Sequence, residues 1–219
     1  TPSNSPRGGT GPFNILFPFS REIRDIADFA LIDAVLLWGG EDISPSLYGQ
    51  EPIIGSGPKS PSNRDMYEWE VIKQAIKHKL PIIGICRGAQ MLCAYAGGTL
   101  IQNVSGHREN HDIVTNTGEI FLIPSAHHQM MSPDNVECEE LAWCIKNRSL
   151  IYQPDSYGAA LLEAKQIKEP EVLFFPEIRG LAIQSHPEWT QKDAPFNLWL
   201  FNLIKEKFPS LTIGELVCV

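Results

Sequence analysis

Ile82-Ile83-Gly84-Ile85-Cys86-Arg87-Gly88-Ala89-Gln90 joins an apolar run directly to a helical pattern, with a cysteine at the junction. The run 82–85, opened by Pro81, has the continuous hydrophobicity of a strand buried on both faces. Helical spacing follows over 87–96 and stops at Gly97-Gly98. Gly84 and Gly88, two positions to either side of Cys86, remove side chains where a tight turn brings backbone segments together. This is a nucleophile-elbow arrangement, with Cys where other enzymes carry Ser. Such a thiol stands at the C-terminal edge of a sheet, where open α/β folds bind ligands. It also sits at a helix N-terminus, whose dipole and free N–H groups favour a thiolate.

Outward from this unit, apolar runs and helical patterns alternate. Upstream, 13–19 and 34–38 read as strands and 21–31 and 64–79 as helices. Between them 41–63, rich in Pro, Gly and Ser, reads as a long irregular loop of the kind that often carries function. Downstream, 100–129 mixes short β-like runs with turns, and 160–164, 172–175 and 181–184 read as strands. The stretch 195–208 is a helix with Phe196, Trp199, Leu200, Leu203 and Ile204 at core spacing. The alternation predicts an α/β fold: a mostly parallel central sheet flanked by helices, with some antiparallel strands. Residues 1–219 are expected to form a single domain, with the Gly/Pro/Ser-rich 1–12 loosely ordered.

Composition narrows the function classes. Eighteen basic against 26 acidic residues give a net charge of −8, which argues against a nucleic-acid partner. No apolar run approaches the roughly 20 residues of a membrane-spanning helix, so no membrane partner is expected. The first residues lack the apolar core and flanks of a signal peptide. The five cysteines, Cys86, Cys93, Cys138, Cys144 and Cys218, are odd in number and form no C-x-x-C pair. They outline neither a disulfide framework nor a zinc knuckle, and a reducing, cytoplasmic location is expected. All but Cys86 read as structural thiols. His107 and His111 stand four apart, a metal-ligand spacing, but the stretch reads as loop and no third ligand stands out. No metal and no cofactor is expected. Gly55-Ser56-Gly57-Pro58-Lys59-Ser60 lacks the spacing and the preceding strand of a phosphate loop.

A nucleophilic cysteine needs a base, and the base an orienting group. His186 follows the apolar run 181–184, and Glu188 stands two residues on, with Pro187 stiffening the chain between them. In extended backbone, positions i and i+2 project to one side. Glu188 can then accept from one imidazole nitrogen while the other faces Cys86, which makes Cys86, His186 and Glu188 a candidate triad. On Gly84, Cys86, Gly88 and Gln90 and on His186-Pro187-Glu188, the chain resembles the class I glutamine amidotransferase-like superfamily. Within it, the chain is most similar to the γ-glutamyl-γ-aminobutyrate hydrolase branch. That likeness rests on Trp38-Gly39-Gly40-Glu41-Asp42-Ile43-Ser44-Pro45, Leu47-Tyr48-Gly49, Arg64-Asp65 with Glu68, Gly97-Gly98-Thr99-Leu100-Ile101-Gln102, and Ser125-Ala126-His127-His128-Gln129.

The resemblance implies a flavodoxin-like amidotransferase fold and a small-molecule substrate, glutamine or a γ-glutamyl amide. It implies attack by Cys86 on the γ-carbonyl through a thioester, without a cofactor. The oxyanion would rest on the backbone N–H groups of Gly40 and Arg87, and Gly39, Gln90, Ser125, His127 and His128 would contact substrate. A second reading is a glutaminase subunit that supplies ammonia to a separate synthase, which is then its partner; independently of that choice, assembly as a homo-oligomer stays open. A third, a non-catalytic binding module, is disfavoured because both Cys86 and His186 are retained. With about 38 residues before Gly39, the N-terminal βα region is expected to be abbreviated relative to the family, and 102–125 to be compact. Both departures touch the walls of the pocket and leave the departing amine open.

Overall fold

The computed structural model describes residues 26–154 and 168–211. The terminus 1–12, the predicted strands 13–19 and 160–164, the first part of the predicted helix 21–31, Cys218 and the tail 212–219 lie outside the described residues. Within them, the remainder of that helix is a 3₁₀ helix, Ile26–Leu31, a short connector that leads straight into strand β1, Val35–Leu37. The loop 41–63 is irregular apart from a 3₁₀ turn, Pro45–Tyr48, which starts on a proline and ends on Gly49 in the left-handed region.

Helix α1, Asn63–Lys77, begins with a capping box: the Ser62 side chain accepts from the Asp65 amide while the Asp65 carboxylate accepts from the Ser62 amide. Strand β2, Ile82–Ile85, and helix α2, Arg87–Tyr95, are the predicted elbow unit. Then come the short strands β3 (Thr99–Ile101) and β4 (Asn103–Val104), the hairpin of β5 (His111–Thr115) and β6 (Ile120–Ile123), and β7 (Met130–Ser132). Strands β8 (Glu139–Cys144), β9 (Tyr152–Gln153), β10 (Pro170–Phe175) and β11 (Gly180–Ile183) precede the last helix, α3, Pro195–Lys207.

Seven strands form one sheet in the order β1-β2-β11-β10-β8-β5-β6. The α/β class is as expected, and the sheet is mixed in a definite way. The β1-β2 and β2-β11 pairs are parallel, whereas β11-β10, β10-β8, β8-β5 and β5-β6 are antiparallel. The antiparallel share among the described strands is larger than the sequence patterns indicated, because the sequence reading includes no strand at β8 and the direction of β5 and β6 is set by their hairpin and by β8. Both faces of the central strands are covered. Ile82, Leu37 and Ala182 point into one core with Ile72 and Ala75 of α1 and Leu92 of α2. Their neighbours Ile83, Ile85, Leu181 and Ile183 point into another with Phe196, Leu200 and Ile204 of α3. That two-sided burial is why β2 reads as an unbroken apolar run. No helix among the described residues is long and apolar enough to cross a membrane.

Candidate active site

The carboxyl ends of the parallel strands β1, β2 and β11 carry Gly39-Gly40, Cys86 and His186 to one place. Cys86 leaves β2 with its amide still paired to the Ile183 carbonyl of β11 (2.8 Å), and its own carbonyl accepts from Gln90 of α2 (3.1 Å). Between those two bonds the backbone reverses sharply, and Cys86 adopts φ +51°, ψ −107°. A non-glycine residue held in that region is strained and persists only where the surroundings fix it. The surroundings here are backbone contacts. A Cβ added to Gly84 would lie 2.4 Å from the Gly88 carbonyl oxygen, and one added to Gly88 would lie 2.3 Å from the Leu37 oxygen. The flanking glycines are what allow α2 to start against β1 and β2.

His186 donates its amide to the Pro124 carbonyl (3.0 Å) and its Nδ1 faces Glu188 Oε1 at 2.7 Å. The chain is not extended there, as the sequence pattern assumed. Pro187 fixes the first position of a 3₁₀ turn, Pro187–Trp189, and Glu188 reaches the ring from inside that turn. With Nδ1 committed to the carboxylate, the other ring nitrogen is left for Cys86. Burial pushes the His186 pKa down, but contact with the Cys86 thiol and the Glu188 carboxylate outweighs it and lifts the value to about 9. Gly39 closes the third side: a Cβ there would lie 3.1 Å from His186 Cε1 and 3.6 Å from Cys86 Cβ. Trp189 stacks flat on the imidazole, with centroids 3.9 Å apart and planes within 2°.

Behind the elbow lies a charged network. The Arg87 guanidinium, 2% exposed, is clamped between Asp65 and Glu68 of α1. Asp65 is thus both the capping residue of α1 and an anion for Arg87. Glu68 also accepts from Arg64 Nε (2.7 Å), and Arg64 Nη2 donates to the carbonyls of Trp38 (3.2 Å) and Gly39 (3.0 Å). All peptide bonds described are trans. In a trans peptide the N–H points opposite the C=O, so holding the Gly39 oxygen on the Arg64 side turns the Gly40 N–H away from Arg64. Gly40 has φ +152°, and a side chain on it would collide with Arg64 Nη1 at 2.2 Å.

Of the other residues singled out from sequence, Gln90 lies one helical turn beyond Cys86. The Gln90 amide donates to the Gln129 carbonyl (3.1 Å) and to Gln184 (3.4 Å), tying α2 to the loop before β7 and to β11. Ser125 donates its hydroxyl to the His107 carbonyl (2.6 Å). His127 is buried, with Nδ1 facing the Gln129 carbonyl at 2.8 Å. His128 is partly open and pairs with Asp42 at 3.0 Å. Sequence reasoning quoted Arg64, Asp65 and Glu68 only as likeness and gave Trp189 no role. The Arg64–Glu68 spacing of one helical turn was the available signal.

The Peptidase C26 family matches residues 8–145. The glutamine amidotransferase-like protein YvdE of Lactococcus lactis is 29% identical over 188 residues, which is 79% of this chain and 73% of that protein. The γ-glutamyl-γ-aminobutyrate hydrolase PuuD of Escherichia coli is 34% identical over 185 residues, 78% of this chain and 69% of that protein. In fold, the chain is similar to a Thermoplasma acidophilum protein described as a component of GMP synthase, with a TM-score of 0.50 over 85% of this chain and 77% of that one at 13% identity. With a strained cysteine elbow on a mixed sheet and these relatives, the chain belongs to the Peptidase C26 family and has the class I glutamine amidotransferase fold.

Proposed function

We propose that the protein hydrolyses the γ-glutamyl amide bond of a small molecule with Cys86 as nucleophile. The observation that carries this reading is Cys86 at a strained turn, sharing His186 with Glu188 at 2.7 Å. In the proposed reaction the Cys86 sulfur attacks the γ-carbonyl, and its proton resides on His186. The imidazolium then protonates the departing amine, while Glu188 holds the ring in orientation and stabilises its charge. The oxyanion rests on the amides of Gly40 and Arg87; the first amides of a helix have no acceptor within it. The γ-glutamyl thioester is cleaved by water, which His186 deprotonates in turn, and glutamate leaves. Gln90 and Ser125, whose side chains are tied to backbone carbonyls, and the buried His127 shape the wall behind the glutamyl group. Gly39, beside Cys86 and His186, and the half-buried His128 meet the rest of the substrate.

The likeness to PuuD supports a γ-glutamyl amine as substrate in preference to glutamine alone. Glutamate release from γ-glutamyl-γ-aminobutyrate, from a panel of other γ-glutamyl amines and from glutamine tests it. Turnover of one or more γ-glutamyl amines well above that of glutamine is expected. Turnover of glutamine alone would instead favour an ammonia-supplying subunit, and release from none of them would sink the reading.

A further inference from the structure

A second cluster of thiol, imidazole and carboxylate lies outside the elbow. His107 precedes β5, His111 opens it, His127 lies between β6 and β7, Cys144 ends β8, and Glu171 is in β10. All five are buried, none more than 4% exposed. Four groups converge on one atom, Glu171 Oε1: His111 Nε2 at 3.0 Å, His107 Nδ1 and His127 Nε2 at 3.5 Å, and Cys144 Sγ at 3.7 Å.

The far sides of the rings fix their tautomers. His111 Nδ1 faces the Glu109 carbonyl at 3.0 Å, and His127 Nδ1 faces the Gln129 carbonyl at 2.8 Å. A carbonyl only accepts, so Nδ1 carries the hydrogen in both rings. In a neutral ring that leaves a lone pair on Nε2, and both lone pairs point at a carboxylate oxygen. Acceptors facing acceptors in a dry interior repel unless a cation stands among them. Among the described residues, His127 Nε2 and Glu171 Oε2 are buried with no hydrogen-bond partner.

We propose that His107, His111, Cys144 and Glu171 form a structural Zn²⁺ site. One ligand atom from each lies within 4.8 Å of every other. Imidazole, thiolate and carboxylate together match the donors zinc prefers, and four protein ligands make a closed, structural site. The charges balance, since one thiolate and one carboxylate neutralise the ion. On binding, the Cys144 S–H bond is replaced by an S–Zn bond and the proton leaves to solvent. The supporting shell is also in place. His111 is held by a backbone carbonyl, and His107 Nε2, which like its Nδ1 has no hydrogen-bond partner among the described residues, lies 3.3 Å from Glu169 Oε2, within reach of a relay once Nδ1 binds a metal. Glu169 is itself fixed by the Tyr152 hydroxyl (2.6 Å) and the amides of Arg148 (2.8 Å) and Ser149 (2.9 Å). Carboxylate–imidazole–metal relays of this kind orient ligands in zinc sites. The sequence showed the His107–His111 pair; the fold supplies Cys144 and Glu171 from two neighbouring strands. The proposal does not depend on the reaction at Cys86.

The test uses the full chain as purified. Its zinc content is measured by mass spectrometry, and its melting temperature is followed after chelation and after return of Zn²⁺ or Mg²⁺. The metal-free protein is then loaded with Co²⁺. Zinc at one per chain, a melting temperature that falls on chelation and returns with Zn²⁺ only, and a thiolate-to-cobalt charge-transfer band are expected. The band should persist in Cys86→Ser and vanish in Cys144→Ser, and Glu169→Gln should weaken Zn²⁺ binding roughly 10–100-fold. If Cys144→Ser does not fold, the band is read on the wild-type chain with Cys86 alkylated, where it should survive. A chain that neither retains zinc nor is stabilised by it would show that protons alone bridge the cluster. A band lost with Cys86 and kept without Cys144 would place the metal at the elbow. Either result overturns the proposal.

Discussion

Two regions of this protein bring together the same three side-chain chemistries and arrange them in opposite ways. At the elbow, Cys86, His186 and Glu188 are strung in a line: the carboxylate on Nδ1, the thiol left for the other nitrogen, and an exposed tryptophan over the ring. In the second cluster, three imidazoles and a thiol converge on one oxygen of Glu171, deep inside the molecule. A line leaves each partner one job and lets a proton move along it. Convergence on one atom leaves no open face and suits a fixed cation. Residue identity alone does not separate the two; geometry and access do.

The contrast is put at greatest risk by the expected fates of the two thiols. Cys86→Ala should lower glutamate release roughly 10⁴-fold or more, with the circular dichroism spectrum and melting temperature little changed. Cys144 should respond in the other direction. Burial and the Glu171 and Glu169 carboxylates push its thiol pKa well up, so in the folded, metal-free protein it should resist an alkylator that modifies Cys86. Mass-spectrometric mapping after limited alkylation reads both. Modification of Cys144 ahead of Cys86 would reverse the assignment.

The line at the elbow depends next on its third member. Glu188→Gln keeps the shape of the side chain but removes the anion that orients the ring. By analogy with other triads, kcat should fall by roughly 10⁴-fold with KM changed far less. If the loss were below tenfold, Glu188 would be holding the 3₁₀ turn rather than serving the imidazole.

A smaller effect is expected one layer out. Arg64 is a positioning residue, since it meets the carbonyls of Trp38 and Gly39 and touches neither the thiol nor the ring. Arg64→Met should let the Gly39–Gly40 peptide turn and lower kcat up to about 100-fold. Arg64→Lys, whose single nitrogen replaces the separate Nε and Nη2 that hold Glu68 and the two carbonyls, should rescue only part of that loss. An effect on KM alone would mean that the residue acts on substrate binding instead.

These regions also differ in how legible they were from sequence. The elbow was visible because its parts are local: an apolar strand, a cysteine and two spaced glycines within nine residues, with His186-Pro187-Glu188 equally compact. The Arg64 network was not, because its acceptors are backbone carbonyls that only the packing of α1 beside the end of β1 brings within reach. The second cluster was half visible. His107 and His111 are neighbours in sequence, but Cys144 and Glu171 join them through the antiparallel pairing of β10 with β8 and of β8 with β5. The apolar run 172–175 announced most of β10, but β8 was not read from sequence, and the β10–β8 register shifts at Pro170, Val172 and Leu173 are set by the pairing itself. His127 illustrates the same limit. Its motif drew attention to it, but nothing in that motif indicated that packing brings its ring within 3.5 Å of Glu171.

The elbow carries a further signature in the pH dependence of stability. The His186 pKa is raised to about 9, against burial, by Cys86 and Glu188, while the unfolded chain has a value near 6.5. A group whose folded value is the higher one binds its proton more tightly when folded. Its stabilisation is therefore complete below about pH 6.5 and fades as pH rises through about 9. The span of the shift allows at most about 3 kcal/mol. Denaturant unfolding between pH 6 and 10, on the wild type and on Glu188→Gln, measures it. Losing the Glu188 carboxylate lowers the folded value of His186, so the variant should lose stability with a shallower slope and at lower pH. Direct titration of the His186 ring by nuclear magnetic resonance should give the same displacement. Curves that run parallel across that range would mean that Glu188 does not stabilise the charged ring, and the line from carboxylate to thiol would have no electrostatic basis.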